Sequence, residues 1–140
     1  MNLIGKICFN HDKIFELDMN KMNRQELARW GEGKAKSFLE KSGIRIIHQN
    51  FRTKNGEIDL IGLDKDDLIF FEVKTRSSKE FGYPEDAVNF PKIEKIEVVA
   101  NEFIDDFPTK NVNWRIDVVA IIRNPYNEYY DIKWFKDVVS

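Results

Sequence analysis

What the chain is short of narrows its class first. It has a single cysteine, Cys8, so no internal disulfide can form, which is compatible with a reducing compartment. Histidine is nearly as scarce: His11 and His48 lie far apart, and no cysteine–histidine cluster has the spacing of a zinc site. No apolar run approaches the roughly 20 residues of a membrane-spanning helix. The opening stretch, Met1 to Phe9, is too short and too mixed for a secretory signal. These absences predict a soluble cytoplasmic protein with no membrane partner. An excess of positive charge is missing as well. With a net charge of −2, any surface for a polyanion has to be a local basic patch on an acidic body.

What is present argues for a packed domain. Charged residues make up 33% of the chain, a share that disordered segments also reach, but eleven Phe and three Trp are too many for disorder. A length of 140 residues suits one domain. Residues 1–22 read as an N-terminal extension of uncertain structure. Its short apolar pairs, Leu3-Ile4 and Ile14-Phe15, could close a small hairpin around Asn10-His11-Asp12. The domain proper spans residues 23–140.

Its first element is a helix. Asn23 is a strong N-cap and Glu26 stands three residues on, the pattern of a capping box. Leu27, Trp30, Gly31, Ala35, Phe38 and Leu39 recur at helical spacing, and Gly43 is placed to end the run. Three strands follow, at Ile44–Asn50, Glu57–Leu63 and Leu68–Thr75. The turn Lys54-Asn55-Gly56 and the polar loop Asp64–Asp67 are short enough to make them antiparallel neighbours. A loop from Arg76 to Pro84 leads to a second helix, from about Asn89 to Asp105, with Pro91 in its first turn. Trp114–Arg123 is a β-branched strand, and Glu128–Val138 reads as a last one. The expected class is α/β, a mixed sheet flanked by helices in the order α-β-β-β-α-β-β.

Chemistry concentrates in Gly56-Glu57-Ile58-Asp59-Leu60-Ile61 and Phe70-Phe71-Glu72-Val73-Lys74. Alternation along a strand puts Glu72 and Lys74 on one face. If the two strands pair, Asp59 comes near Glu72. Mg²⁺ or Mn²⁺ takes oxygen ligands of this kind, and the Val73 carbonyl could add a third. Lys74 would then orient a water or balance charge on a phosphate. The pattern alone fits a structural Glu72–Lys74 ion pair on a solvated strand equally well, and a second Glu-x-Lys, Glu32-Gly33-Lys34, lies in the first helix. Context sharpens the first copy, because its charges interrupt an apolar run where charge is costly unless paired or metal-bound. Glu32 borders the apolar helix face between Gly31 and Gly33. Each glycine costs about 1 kcal/mol against Ala in a helix, which suggests close approach by a sheet or a ligand. The alternative is tight packing with Glu32 solvated. A phosphate-binding loop is a worse reading, since neither its glycine spacing nor the Ser/Thr after its lysine is present.

Residues 23–122 resemble the YraN-like family of bacterial proteins, which is related to Holliday-junction resolvases and to the restriction-endonuclease-like, or PD-(D/E)xK, superfamily. The resemblance rests on Gly31-Glu32 with Ala35, on Asn50-Phe51-Arg52, on Gly56 to Ile61, on Phe71-Glu72-Val73-Lys74-Thr75-Arg76, on Val88, Lys92 and Ala100, and on Arg115 to Val119. It implies a restriction-endonuclease-like core with an Asp…Glu-x-Lys site. Asp59, Glu72 and Lys74 match the catalytic positions and Glu32 the helical acid, so that Glu32, Asp59 and Glu72 would manage the metal and Lys74 the water. The expected activity is metal-dependent endonuclease cleavage of DNA, with branched or structured DNA as the substrate class and a homodimer suited to paired cuts. A catalytically silent nucleic-acid-binding module and a protein-interaction scaffold are the alternatives. Two departures stand out: residues 1–22 have no counterpart, and Ile93 replaces the usual glutamine after Lys92.

Arg52, Arg76 and Lys92 are the cations expected to grip phosphates, with Arg45, Lys54, Lys79 and Lys95 behind them. Phe81 and Tyr83 could stack on a base or anchor their loop. Arg115 and Asp117 read as a structural ion pair, His48 as a packed or solvated residue, and Trp134 and Phe135 as cover for the sheet or part of a dimer surface.

Overall fold

A computed structural model describes residues 22–77, 83–109 and 111–139. The expected N-terminal hairpin, Lys79 and Phe81 lie outside these residues. Helix α1 (Arg24–Lys41) is followed by strands β1 (Arg45–Thr53), β2 (Gly56–Asp64) and β3 (Asp67–Ser77). A 3-10 turn (Pro84–Ala87), helix α2 (Phe90–Asp105) and strands β4 (Trp114–Arg123) and β5 (Tyr130–Phe135) complete the order. The five strands form one sheet in sequence order, antiparallel except for the parallel pair β3–β4. The expected α/β class, the mixed sheet and the element order are all observed. Among the described residues no helix is long and apolar enough to cross a membrane.

The capping signals act as the sequence suggests. The Asn23 side chain accepts from the Glu26 N–H at 2.8 Å, and Glu26 accepts from the Asn23 N–H at 3.0 Å. At the other end Gly43 follows the C-cap Ser42 with φ of 97°, the left-handed conformation that glycine adopts without steric cost. Asn89 caps α2 by accepting from the Lys92 N–H at 3.1 Å, and Pro91 sits in the first turn, where no intrahelical donor is needed.

Alternation along β3 divides the core in two. Leu68 and Phe70 pack with Ile93, Ile96, Val99 and Ala100 of α2, while Ile69 and Phe71 pack with Ala35 and Leu39 of α1. The helices therefore cover opposite faces of the sheet. Sequence and structure differ at element ends. β1 runs on to Thr53 and β3 to Ser77, because ladder pairing with their neighbours outlasts the apolar pattern. β5 is shorter than expected, since its flanks, Glu128–Tyr129 and Lys136–Val138, make no ladder pairs with β4.

Asp117 on β4 is fully buried. It accepts from Arg115 Nε at 2.9 Å, Trp134 Nε1 at 2.8 Å and the Asp137 N–H at 2.8 Å. The Arg115–Asp117 pair is structural, as expected, and it ties the segment after β5 to the centre of the sheet. His48 is packed edge-on against Phe51, with ring centroids 5.4 Å apart. Trp134 covers the sheet beside Phe38 and Phe71.

Candidate active site

The site forms where two paired strands part. The β2–β3 ladder runs from Asp64↔Asp67 to Leu60↔Phe71 and goes no further. One more step would set Asp59 opposite Glu72. Instead the Val73 N–H donates to the Asp59 carboxylate at 2.8 Å, so a side chain takes the place of the ladder. The divergence has local causes. The tip of the β1–β2 hairpin is drawn toward α2, where Thr53 and Asn55 donate to Glu102 at 2.8 and 3.2 Å. Across from Asp59, Asn50 adopts φ of 52°, a left-handed conformation that asparagine tolerates better than most residues. Within a strand, the N–H and C=O of one residue point to the same edge. The Val73 carbonyl therefore faces the same gap as its N–H.

The two carboxylates meet in that gap. Burial raises the Glu72 pKa, the neighbouring Asp59 charge raises it further, and it reaches about 7. Burial also raises the Asp59 pKa, against the hydrogen bond from the Val73 N–H, which lowers it. Glu32 approaches from α1. Burial and the charges of Asp59 and Glu57 raise its pKa to about 7, against a hydrogen bond from the Asn50 side chain. Because the sheet is open here, α1 on one face brings Glu32 and α2 on the other brings Lys92 to the same carboxylates.

That contact depends on Gly31, one of the two glycines flanking Glu32. A Cβ there would lie 1.8 Å from Thr75 Oγ1 and 2.8 Å from Thr75 Cβ, so glycine lets α1 rest directly on β3. Gly33 faces open space and has no packing role. The close approach expected of both glycines holds for the first alone.

The expected cations take different places. Lys92 does not stand free for phosphate. It reaches down from the first turn of α2 to within 3.6 Å of Glu72 Oε2. Lys74 is exposed two residues after Glu72 and lowers its pKa more weakly than Lys92 does. Arg52 is on the rim, paired with Glu57 at 2.8 Å. Arg76 reaches the Asp86 carbonyl at 3.4 Å. Tyr83 is exposed. Sequence reasoning passed over Glu57 and Asn50 as members of the site. The asparagine carried a signal, a residue of low strand propensity directly before Phe51.

Chemically, the arrangement is a buried carboxylate pair beside a backbone carbonyl, with a third acid behind it and two lysines nearby. Among the described residues no three His, Cys, Asp or Glu side chains come close enough to hold a metal ion by themselves. The protein can thus offer an ion two carboxylates and the Val73 carbonyl, leaving remaining positions to water or substrate. Two mutually repelling carboxylates with raised pKa values are a donor set that a doubly charged cation would relieve, so the residues fit such an ion.

An α/β protein with an acid pair at the fork of its sheet is the class that fold and site define. The family model described as "Uncharacterised protein family UPF0102" matches residues 31–121, and the chain belongs to that family. It is 43% identical to a UPF0102 protein of Caldicellulosiruptor saccharolyticus over 116 residues, covering 83% of this chain and 98% of the relative. A UPF0102 protein of Clostridium kluyveri is 41% identical over 119 residues, covering 85% and 97%. One from Chloroherpeton thalassium is 43% identical over 103 residues, covering 70% and 80%.

Proposed function

We propose that the protein is a Mg²⁺- or Mn²⁺-dependent endonuclease that hydrolyses phosphodiester bonds in DNA, with branched or structured DNA as its substrate class. The observation that carries this reading is the clasp of Asp59 on the Val73 N–H. It fixes one carboxylate beside Glu72 and aims the Val73 carbonyl at the same point. Held by Asp59, Glu72 and that carbonyl, the ion would polarise the scissile phosphate and acidify a water.

The remaining residues have their own tasks. Lys74, on the face of β3 that carries Glu72, orients the attacking water or balances charge on the phosphate. Glu32, reaching in from α1, supplies a further acidic oxygen for the ion's water at the back of the pair. Lys92 holds a countercharge against Glu72 and becomes available to phosphate when an ion takes that carboxylate over. Arg52 and Arg76 flank the site as phosphate contacts.

The test is incubation of purified protein with labelled branched and linear DNA, with and without Mn²⁺, beside the Asp59→Asn variant. Cleavage that needs Mn²⁺ and is lost in the variant is expected. Cleavage that survives the substitution would reject the assignment. A second reading draws on the Lys92–Glu72 pair, which already gives Glu72 a countercharge from within the protein. A catalytically silent nucleic-acid-binding module would show DNA retention that weakens with salt, no heat of Mn²⁺ binding and no cut product.

A further inference from the structure

A cavity of about 450 Å³ opens next to the acid pair, between the first turns of α1 and the part of β3 that β2 has left. Arg24 from α1 and Lys74 and Arg76 from the edge of β3 line it, and among the described residues no carboxylate does. Met22, Leu27 and Val73 supply an apolar floor. This is a local reversal of sign in a chain whose net charge is −2. The volume is that of a site for one small ligand, and an anion with an apolar body matches the wall. Lys74 ties the cavity to the proposed cleavage centre. Arg76 spans its edge, its guanidinium also reaching the Asp86 carbonyl at 3.4 Å.

From this juxtaposition we infer that the cavity is a subsite for the nucleotide adjoining the scissile bond, with Arg24 and Arg76 on its phosphate and its sugar on the floor. The inference rests on the nuclease reading and extends it. It names the occupant as a single nucleotide unit of an unpaired strand and assigns a binding role to Arg24. A cleft walled by a helix on one side and a strand edge on the other accepts one backbone, so the subsite favours substrates with an unpaired strand beside the cut.

Arg24→Ala tests it, with Lys41→Ala as the matched control, one charge removed from the far end of the same helix. Binding of a short fluorescein-labelled single-stranded oligonucleotide is followed by anisotropy in EDTA across a salt series. Loss of one phosphate contact is expected to weaken Arg24→Ala about five- to eightfold at roughly 0.1 M salt and to lower the salt slope by about one. Lys41→Ala should bind like wild type, and Arg24→Lys, which keeps the charge, should recover most of the affinity. Thermal melting checks that all three are folded. Equal binding by Arg24→Ala and Lys41→Ala would overturn the subsite, even if wild type cuts DNA. A selective Arg24 defect in a protein that cuts nothing would keep the subsite and reject the nuclease.

Discussion

Replacing Gly31 with alanine should loosen the protein, although alanine is the better helix former. The substitution gains about 1 kcal/mol in helix propensity. Against that, the new Cβ would sit 1.8 Å from Thr75 Oγ1, 2.8 Å from its Cβ and 2.9 Å from its Cγ2. Ordinary carbon contacts need about 3.5 Å or more, so α1 must lift away from β3. Rotating the threonine exchanges Oγ1 for Cγ2 but leaves its Cβ in place. Overpacking of this severity belongs at the upper end of the usual range, about 3 kcal/mol, which leaves a net loss of about 2 kcal/mol. Gly33→Ala has the same propensity gain and nothing within 4 Å to meet, so it should stabilise by about 1 kcal/mol. In thermal melts the first variant should fall by roughly 6–10 °C and the second rise by roughly 3–5 °C. Thr75→Ala removes two of the three obstructing atoms, and its buried hydroxyl has no hydrogen-bond partner to lose. The double variant Gly31→Ala/Thr75→Ala should therefore recover about 1 kcal/mol beyond additivity. A Gly31→Ala protein that melts at or above wild type would refute the reasoning.

Three further outcomes follow from the site and core. Glu32 and Glu72 ionise at about 7 when folded against 4.5 for a free glutamate, so the folded chain holds protons that the unfolded chain has released. Their contribution to stability is complete below about pH 4.5 and is lost as pH rises through 7, and Glu72→Gln should flatten that fall in urea midpoints taken in EDTA. Lys74→Met should lower cleavage by roughly 10²–10⁴-fold while calorimetry shows Mn²⁺ binding unchanged, and a matching loss of both would make Lys74 part of ion binding. Asp117→Ala strips a buried partner from Arg115, Trp134 and the Asp137 N–H, and should cost about 3–5 kcal/mol in denaturant titration. A loss below about 1 kcal/mol would show that the hub is not a major support.

The architecture was largely legible because its cues are local. Asn23 with Glu26, Asn89 with Pro91, and Gly43 mark the helix ends through bonds made within a few residues. The short turns at Lys54-Asn55 and Lys65-Asp66 left little choice but antiparallel neighbours. The pairing of Asp59 with Glu72 could be guessed from strand alternation, but its form could not. Nothing in the sequence marks where a ladder stops, because that point depends on the hairpin tip being held by Glu102, far along the chain on α2. The contact of Lys92 with Glu72 was hidden for the same reason. In the sequence it is a cation near the motifs, and only the approach of α2 to the sheet brings it over Glu72. The two glycines around Glu32 look alike in sequence and differ only in what lies opposite them.

The parallel pairing of β3 with β4 obliges the chain to return along the length of the sheet, and α2 makes that return. The strand bearing Glu72 and the helix bearing Lys92 are thus consecutive parts of one crossover. Sliding α2 by a single residue along its axis, about 1.5 Å, would alter the charge facing the acid pair without disturbing a rung of the sheet.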